Sequence, residues 1–473
     1  MPQTIINPYT SGQPSLFEET ASEFLLEGGL DTLAGNLETP RPLEMKDKTV
    51  DKLTHYLFRY PAKFHPPVVR SLINEYTQPQ ERILDPFCGS GSLLLEAAVA
   101  HRHSVGADVD PVAVLVSSVK THCFNIKHLT KSCDALLALL EKHQRPEQEY
   151  VVRQFEDLNP TQYSEAFILV SSYVPAIPNL LHWFRRYVVI DLAYIRGEML
   201  TVAIPETHRN FFKVCFASII RRASNADPVP VSGLEVTSHM KRKDALGRVI
   251  NPFALFAKSI KDSLQAVANF RSRVCTNSKA SVFRADALQL NLHIKTPIDA
   301  VITSPPYHSA VDYYRRHQLE MYWLGLINGQ EERLALKPAY IGQSKVRKNN
   351  HIISNNTISA PKARRWEEQI RGVSPERADA FKHYIVSMQK VVNQLARILR
   401  EKQYAIYVVG DSTWNGLELP TSELFVELSA GQFELVDHLW YPVVNRYMSY
   451  QRHNGADINK ENVLVFRRTT ETS

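Results

Sequence analysis

Residues 83–98 combine an apolar run, a turn with two glycines and an apolar helical segment, and this unit constrains the fold more than any other. Ile83 and Leu84 precede the turn at 85–91, Asp-Pro-Phe-Cys-Gly-Ser-Gly, and residues 92–98 then have a helical composition. A second strand-like segment at 104–107 is followed by a helical segment. Strands that alternate with helices at such short spacing predict a parallel sheet whose ligands bind at the carboxyl ends of the strands. We therefore predict an α/β fold with helices on both faces of the sheet.

The stretch at 303–307, Thr-Ser-Pro-Pro-Tyr, follows the apolar residues 300–302 and is predicted to be a loop at the end of a buried strand. Pro305 and Pro306 fix φ and lack backbone N–H donors, so this loop is stiff and offers acceptors without competing donors. An exocyclic amine is a natural partner for such a surface, and Tyr307 adds a flat face on which a base can stack. A Pro-Pro turn with a packed tyrosine is the structural alternative.

Both stretches resemble motifs of one enzyme family. Residues 303–307 resemble the catalytic motif (Asp, Asn or Ser)-Pro-Pro-(Tyr or Phe) of the amino-methyltransferases, which methylate N6 of adenine or N4 of cytosine. Residues 85–91 resemble the S-adenosylmethionine loop of the same enzymes. The resemblance implies a Rossmann-like methyltransferase sheet, S-adenosyl-L-methionine as the cofactor and methyl transfer to a base amine. It makes the candidate catalytic residues Ser304, Pro305, Pro306 and Tyr307. The candidate cofactor-binding residues of the turn are Asp85, Pro86, Phe87, Gly89 and Gly91.

Three further segments supply candidate cofactor contacts. Residues 60–66 resemble a segment that contacts the methionine end of the cofactor in these enzymes, which makes Lys63 a candidate for carboxylate pairing and Phe64 a candidate for packing. Asp108 ends the second predicted strand, where an acid can accept from ribose hydroxyls, and Asp110 is expected to cap the next helix. The resemblance extends to a third-strand acid that contacts the adenine amine, here Asp286. A basic loop before a helix and a surface aspartate are the structural alternatives.

The resemblance implies direct transfer to a base that has been flipped out of the duplex. In that mechanism the Ser304 side chain and the Pro305 carbonyl accept the two amine hydrogens and aim the nitrogen lone pair at the methyl group. Serine before Pro-Pro resembles the N4-cytosine enzymes more than the N6-adenine ones, so we predict a cytosine-N4-specific DNA methyltransferase. An N6-adenine enzyme, an RNA N-methyltransferase and a non-catalytic DNA-binding protein stay open as alternatives. C5-cytosine methylation is not expected, because its cysteine nucleophile has no counterpart in this loop.

The chain has 473 residues, enough for two or three domains, and we divide it into four segments. Residues 1–45 are predicted to be a loosely ordered arm and 46–120 the cofactor-binding half of the core. Residues 121–280 are predicted to be a large, mostly helical insert, and 281–473 the catalytic half of the core. By the family resemblance, the insert is a candidate target-recognition region. A helical lid with a purely structural role is the alternative.

Basic residues indicate where DNA would bind. The formal net charge is +6, and residues 337–365 contain Lys and Arg but no Asp or Glu, which favours a loop ordered by an anionic partner. Other basic clusters lie late in the insert, at 221–225 and 239–243, and just after the catalytic loop. The candidate DNA-binding residues are Lys241, Arg242, Lys243, Arg315, Arg316, Lys345, Arg347, Lys348, Arg364 and Arg365. A merely solvated loop is the alternative for the last five.

Composition excludes several classes of protein. No apolar run approaches the roughly 20 residues of a membrane span, and Met1 is not followed by a secretory signal. Five scattered cysteines without a Cys-x-x-Cys pair predict neither a metal site nor disulfides, which fits a reducing cytoplasm. We therefore expect a cytoplasmic enzyme that binds double-stranded DNA and no membrane, and a cognate restriction endonuclease is left open.

Overall fold

The computed structural model describes residues 40–61, 63–228, 234–274, 278–308, 313–343, 346, 356–414, 417–443 and 460–470. Most of the predicted N-terminal arm, residues 1–39, lies outside this description. The described residues from Arg41 onward form one compact unit. Among the helices described, none is long and apolar enough to cross a membrane.

An eight-stranded sheet forms the centre of the described structure. In chain order the strands are β1 (Arg41–Pro42), β2 (Arg82–Asp85), β3 (His103–Asp108), β4 (Ala280–Arg284), β5 (Ile298–Thr303), β6 (Leu399–Val409), β7 (Ser412–Trp414), β8 (Leu417–Leu419), β9 (Phe433–Pro442) and β10 (Lys460–Arg468). The sheet has the order β1-β9-β10-β6-β5-β2-β3-β4, and β7 pairs only with β8. Strands β4, β3, β2, β5 and β6 are parallel, whereas β10 is antiparallel to β6 and β9.

The strand order reverses between β2 and β5. From β2 the chain continues to β3 and β4 on one side, and from β5 it continues to β6 on the other. Ile83 pairs with Ala300 and Leu84 with Val301, in parallel register. In open α/β sheets such a reversal opens a crevice beyond the carboxyl ends of the two strands, where ligands bind. The two motif loops predicted from the sequence both begin at this crevice.

Helices surround the sheet and connect its strands. In chain order they are α1 (Pro66–Tyr76), α2 (Ser92–Val99), α3 (Pro111–Thr121), α4 (Ile126–Glu141), α5 (Glu147–Arg153), α6 (Pro160–Val170), α7 (Leu180–Trp183), α8 (Arg186–Thr201), α9 (Glu206–Ala223), α10 (Ser238–Ala245), α11 (Pro252–Arg273), α12 (Leu290–His293), α13 (Tyr313–Arg316), α14 (Gln318–Trp323), α15 (Gln330–Leu336), α16 (Pro361–Val373), α17 (Pro375–Ile398) and α18 (Thr421–Ser429).

Successive strand residues alternate between two hydrophobic clusters, as the two-residue period of a strand requires. Ala300 and Ile302 of β5 lie in the cluster that contains Leu72 of α1. Val301 lies in the other cluster, with Met388 of α17. Both faces of the sheet are therefore covered by helices, and the predicted α/β class with a Rossmann-like sheet is confirmed.

The large insert lies between β3 and β4 and contains the helices α4–α11 but no described strand. Its core is continuous with that of the sheet-forming part. Val116 of α3 and Trp323 of α14 belong to the same buried cluster as Tyr187 of α8 and Phe216 of α9. The insert is thus helical, as predicted, and it packs against α3 and α14 through apolar side chains.

The predicted end of the N-terminal arm at residue 45 is too late. Strand β1 pairs in parallel with β9, and the backbone N–H of Leu43 donates to the Trp440 carbonyl at 2.8 Å. The Leu43 side chain is buried in the cluster that contains α1. Residues 41–43 therefore extend the edge of the sheet, because their backbone and an apolar side chain both find partners there.

Candidate active site

A cavity opens where β2, β3, β4 and β5 end. The empty space within it, counted together with the open solvent at its mouth, is about 820 Å³. The predicted residues that line it are Lys63, Phe64, Asp85, Pro86, Phe87, Gly89, Asp108, Asp286, Ser304 and Pro306. Lining residues that the sequence analysis missed include Tyr60, Ser90, Val109, Tyr340 and Ile341. Gly91, Pro305 and Tyr307 are not part of the wall.

The turn between β2 and α2 depends on two glycines with positive φ, Gly89 at +48° and Gly91 at +73°. A Cβ atom on Gly89 would lie 3.1 Å from Cε1 of Tyr60, which also lines the cavity. A Cβ atom on Gly91 would lie only 2.7 Å from the Cβ of Ser117 on α3. Gly89 therefore keeps space at the cavity, whereas Gly91 lets α2 approach α3. A cofactor contact by Gly91 stays a prediction, and the structure shows a packing role for this glycine.

Two carboxyl groups lie at the ends of β2 and β3: Asp85 is buried and Asp108 is half-buried. Burial raises the pKa of Asp85 to about 7. Burial also raises the pKa of Asp108 to about 7, and the charge of Asp110 adds to this. Oδ2 of Asp108 accepts from the N–H of Gly89 and Oδ1 accepts from the N–H of Asp110, both at 2.9 Å. Since each carboxylate oxygen has two lone pairs, this geometry is compatible with the predicted contact to ribose hydroxyls.

Asp110 caps α3, as predicted: its Oδ1 accepts from the N–H of Val112 at 2.8 Å. Its other oxygen, Oδ2, lies 2.8 Å from Nδ1 of His317. Both side chains are almost completely buried, and His317 directly follows α13. The end of β3 is therefore tied to the segment that follows the catalytic loop.

Lys63 lies at the cavity wall in the segment before α1. Its Nζ donates to the His55 carbonyl at 3.0 Å and lies 4.7 Å from the centre of the Tyr56 ring. Burial lowers the pKa of Lys63 to about 8. An ammonium group has three donors, so Lys63 in this position can also bind a ligand carboxylate.

A second lysine lies behind the turn and was not predicted. Lys120 of α3 is completely buried, and its Nζ lies 3.5 Å from Oγ of Ser90 at the cavity wall. Burial lowers the pKa of Lys120 well below its usual range. Its position within an apolar helix was visible in the sequence, but its inward orientation was not.

Asp286 follows β4 and lines the same cavity. Its Oδ1 accepts from the N–H of Leu288 at 2.9 Å and caps the short 3₁₀ helix Ala287–Gln289. Burial raises the pKa of Asp286. The carboxyl group thus combines a local structural role with a position at the wall of the cavity.

The loop after β5 brings Ser304 and Pro306 to the cavity wall, while Pro305 is buried. The Tyr307 phenol points toward the last strand, where it donates a hydrogen bond to Oε1 of Glu461 at 2.6 Å. Glu461 is the second residue of β10. The sequence predicted only a stacking surface for Tyr307. The hydrogen bond made by its hydroxyl group was not predicted.

Residues 339–342 cover the catalytic loop. Tyr340 and Ile341 are buried and line the cavity. Gly342 has φ of +86°, and a Cβ atom there would lie 2.7 Å from the Tyr307 carbonyl oxygen. The first residues of the predicted DNA-ordered loop over 337–365 are thus held at the cavity by Tyr340 and Ile341, and the ordering of the loop by DNA stays a prediction.

The candidate DNA-binding residues are spread over three regions. Lys241, Arg242 and Lys243 are exposed on α10, and Arg364 and Arg365 are exposed at the start of α16. Arg315 is exposed after the catalytic loop, but Arg316 is only 5% exposed. A direct phosphate contact by Arg316 does not fit this burial, so that prediction is corrected. Lys345, Arg347 and Lys348 lie outside the described residues.

The lining of the cavity fits S-adenosyl-L-methionine. That molecule carries an amino acid group, a ribose and an adenine, and the wall offers an ammonium group, an acid at the end of β3 and an acid after β4. The wall also contains a phenol, Tyr340, whose buried hydroxyl group has no hydrogen-bond partner among the described residues. An unpaired buried hydroxyl costs free energy, which a bound ligand would recover.

The sequence matches known methyltransferases. Residues 38–118 match the N6/N4 methyltransferase family model, described as DNA methylase. The chain is similar to type II methyltransferase M.MvaI of Kocuria varians, with 23% identity over 80% of this chain and 81% of that one. It is also similar to type II methyltransferase M.BsoBI of Geobacillus stearothermophilus, with 25% identity over 58% of this chain and 53% of that one. Among solved structures, the chain is similar to the rRNA methyltransferase aviRa from Streptomyces viridochromogenes. The match has 11% identity and a TM-score of 0.28, and it covers 86% of this chain and 85% of that one.

The family model covers the first half of the cavity, from the segment before α1 to α3. The similarity to M.MvaI extends over most of the chain. Together these matches support a methyltransferase enzyme of an amino-methyltransferase family.

Proposed function

From this family support, we propose that the chain is a type II DNA methyltransferase that uses S-adenosyl-L-methionine and methylates the N4 amine of cytosine. One observation carries the proposal: Gly89 of the glycine turn and Ser304 of the Pro-Pro loop line the same cavity. A methyl donor and an acceptor base must meet within van der Waals contact to react. The strand reversal between β2 and β5 provides such a meeting point.

The proposed donor site uses residues from four segments. Lys63 pairs with the donor carboxylate, Phe64 and Phe87 pack against its apolar parts, and Asp108 accepts from the ribose hydroxyls. Asp286 accepts from the adenine amine. When bound, the sulfonium group supplies an electrophilic methyl group. The protein orients that group toward Ser304 and excludes water with Tyr340 and Ile341, which line the same cavity.

The Pro-Pro loop positions the target amine. Ser304 Oγ and the Pro305 carbonyl accept its two hydrogens, which directs the nitrogen lone pair at the methyl carbon. The proline nitrogens offer no competing donor. We assign cytosine in preference to adenine because serine at position 304 resembles the N4-cytosine enzymes. The N6 amine of adenine is the alternative acceptor, and an RNA base amine is the second.

Incubation of the purified chain with tritiated S-adenosylmethionine and either DNA or tRNA tests the proposal, followed by mass spectrometry of the digested nucleosides. We expect label in DNA as N4-methylcytosine. The Ser304→Ala variant should lose transfer, whereas Ser272→Ala, which changes an exposed serine on α11, should retain it. N6-methyladenine as the only product would overturn the choice of base. Label in tRNA alone would overturn DNA as the substrate.

We propose that DNA contacts the exposed basic residues of α10, a helix that hydrogen bonds connect to the segment after the catalytic loop. The Arg221 guanidinium at the end of α9 donates to the Arg316 carbonyl at 3.3 Å. Arg248 donates to the Ser224 carbonyl at 2.9 Å, and its Nε donates to Asp244 of α10 at 2.7 Å. Arg248 thus links α10 to the C-terminal end of α9, and Arg221 links that same end to α13. This continuity supports Lys241, Arg242 and Lys243 as phosphate contacts.

Salt dependence of DNA affinity tests this surface. Replacing Lys241, Arg242 and Lys243 by alanine should reduce the slope of log affinity against log salt by up to about 3, since each phosphate contact contributes about 1. A matched variant replaces Lys258, Lys261 and Arg271, exposed basic residues of α11, and changes net charge equally. We expect its slope to equal that of the wild type. An unchanged slope in the α10 variant would remove the phosphate role.

The proposal also includes one specific methylated sequence and a cognate restriction endonuclease. Methylation-sensitive long-read sequencing of host DNA should show modified cytosines within one short sequence. A cognate restriction endonuclease would cut that sequence only when it is unmethylated.

A further inference from the structure

Lys63 is held at the cavity wall by a short 3₁₀ helix, Thr54–Tyr56. Its Nζ donates to the His55 carbonyl at 3.0 Å and lies 4.7 Å from the centre of the Tyr56 ring. Both contacts come from neighbouring residues of one turn, so a shift of that turn would move the Lys63 ammonium group. Whatever fixes the 3₁₀ helix therefore also fixes the proposed partner of the donor carboxylate.

The side chain of His55 connects this 3₁₀ helix to α2. His55 is 1% exposed and Glu96 of α2 is 2% exposed, and Nε2 of His55 lies 2.8 Å from Oε1 of Glu96. Nε of Arg70 on α1 donates to Oε2 of Glu96 at 3.0 Å. A buried carboxylate with a partner at each oxygen is costly to displace. Glu96 thus holds the 3₁₀ helix against α2, the helix that follows the glycine turn.

The two buried side chains have defined protonation states. Burial opposes ionisation of Glu96, but hydrogen bonds from His55 and Arg70 hold its pKa below the usual value. Burial lowers the pKa of His55 to about 4, so its imidazole is neutral at pH 7. Since a carboxylate can only accept, Nε2 of His55 carries the proton and donates it to Glu96. Glutamine at position 96 would turn an NH₂ group toward one of its two donors.

The charge of Glu96 also acts on Lys63. The titratable groups whose charges interact with that of Lys63 are Glu96 on α2, Lys120 on α3, and His55 and His65 in the chain before α1. Burial lowers the pKa of Lys120, His55 and His65, which favours their neutral forms. Burial also lowers the pKa of Lys63 to about 8, and the charge of Glu96 acts against this. The carboxylate therefore favours the cationic form of Lys63.

We infer that Glu96 is a positioning residue of the donor site: by holding His55 it fixes the carbonyl that orients the Lys63 ammonium group, and its charge keeps that group cationic. The inference rests on the proposed binding of S-adenosylmethionine through Lys63. It adds a residue of α2 that does not itself line the cavity and acts through the backbone of the 3₁₀ helix.

Amine labelling tests the link between Glu96 and Lys63 in the absence of the donor. Acetic anhydride reacts with neutral amines, and half-buried Lys63 can be reached from the cavity. The rate of Lys63 acetylation against pH, followed by peptide mass spectrometry, gives the midpoint of its titration. We expect a midpoint near pH 8 in wild type and a lower one in Glu96→Gln. His55→Leu keeps the carboxylate, so its midpoint should fall less than that of Glu96→Gln.

Calorimetry with S-adenosylmethionine at pH 6.5, where Lys63 should be cationic in each protein, measures the effect of position. Glu96→Gln and His55→Leu should each bind the donor roughly 2- to 10-fold more weakly than wild type, as expected for a lost hydrogen bond. The double variant should lose no more than the weaker single variant, because both changes break the same chain of contacts.

Glu198 of α8 provides a matched control. Its Oε1 lies 2.8 Å from Nε2 of His143 and 3.1 Å from Nζ of Lys142, so it also joins a histidine to a cation. These three residues belong to the insert and do not line the cavity. Glu198→Gln should keep the wild-type donor affinity and the wild-type midpoint of Lys63.

The outcomes separate this inference from the proposed function. A wild-type Lys63 midpoint in Glu96→Gln, or wild-type donor affinity in His55→Leu, would overturn the inference while the proposed function stands. Equal losses in Glu198→Gln would indicate a general structural effect and overturn it too. The bound donor should protect Lys63 from acetylation; binding without protection would overturn both the assignment of Lys63 and the inference. A wild-type protein that binds no donor would overturn the proposed function itself.

Discussion

The hydroxyl group of Thr303 donates a hydrogen bond to Oδ1 of Asp85 at 2.7 Å, which joins the end of β5 to the end of β2. Thr303 is fully buried and Asp85 is 3% exposed. The same Asp85 oxygen accepts from the N–H of Phe87 at 3.1 Å. One carboxyl oxygen therefore holds the start of the glycine turn and the start of the Pro-Pro loop in a fixed relation.

Asp85→Asn should make the stability of the protein less dependent on pH. Burial raises the pKa of Asp85 to about 7 against the effect of these two hydrogen bonds, whereas in the unfolded chain an aspartate has a pKa of about 4. Between pH 4 and 7 the folded protein thus holds a proton that the unfolded chain has released, so stability falls as pH rises through this window. Relative to that of wild type, the free energy of unfolding of the asparagine variant should rise by on the order of 1–4 kcal/mol between pH 5 and pH 8. Denaturant unfolding at both pH values measures this.

The matched variant Asp108→Asn should behave differently. Both oxygens of Asp108 accept from backbone N–H groups, and an amide would turn its NH₂ toward one of these donors. We expect Asp108→Asn to be less stable than wild type at pH 5, with a smaller difference at pH 8, since burial raises the pKa of Asp108 to about 7 as well. Parallel pH curves for wild type and Asp85→Asn would contradict the role assigned to the Asp85 carboxyl group.

The sequence predicted the parts of the fold that depend on local pattern. The apolar strands, the Asp110 cap and the glycine turn all follow from composition over a few residues, and residues from both motif loops meet at the predicted strand ends. The sequence did not predict Tyr340, Lys120 or Glu461, because each reaches the site through the packing of distant segments. No local signal distinguishes a tyrosine that closes a cavity from one in a loop. The burial of Arg316 was missed for the same reason.

Lys63 should make donor binding depend on pH above neutrality. Burial lowers its pKa to about 8, and the charge of Glu96 acts against this. The cationic form that pairs with a carboxylate is therefore present below pH 8 and lost above it. Affinity for S-adenosylmethionine should fall by up to about tenfold per pH unit above 8, measured by calorimetry between pH 7 and 9.5. Lys63→Arg keeps its charge throughout this range and should lack this decrease, so equal pH profiles for the two proteins would remove the pairing.

Gly91→Ala should destabilise the protein through two separable effects. A left-handed residue with a side chain costs roughly 1 kcal/mol, and the new Cβ would lie 2.7 Å from the Cβ and 3.1 Å from the Cα of Ser117. Gly431 has φ of +84°, but a Cβ atom added there would meet no atom within 4 Å, so Gly431→Ala measures the backbone cost alone. We expect the free energy of unfolding to fall by about 1–3 kcal/mol more in Gly91→Ala than in Gly431→Ala, because overpacking has a cost of this size. Equal losses, measured by denaturant unfolding, would show that α2 and α3 accommodate the methyl group.

Tyr340→Phe should weaken donor binding without weakening the fold. The Tyr340 hydroxyl is buried at the cavity wall and has no hydrogen-bond partner among the described residues, and its removal from the free protein should cost nothing. If the bound donor supplies the missing partner, the variant should bind S-adenosylmethionine roughly 2- to 10-fold more weakly. Tyr384 of α17 is the matched control, because its hydroxyl is also buried without a described partner but does not line the cavity. Tyr384→Phe should keep full donor affinity, and both variants should melt no lower than wild type. Wild-type affinity in Tyr340→Phe would show that the hydroxyl does not contact the donor and that the residue closes the cavity through its ring alone.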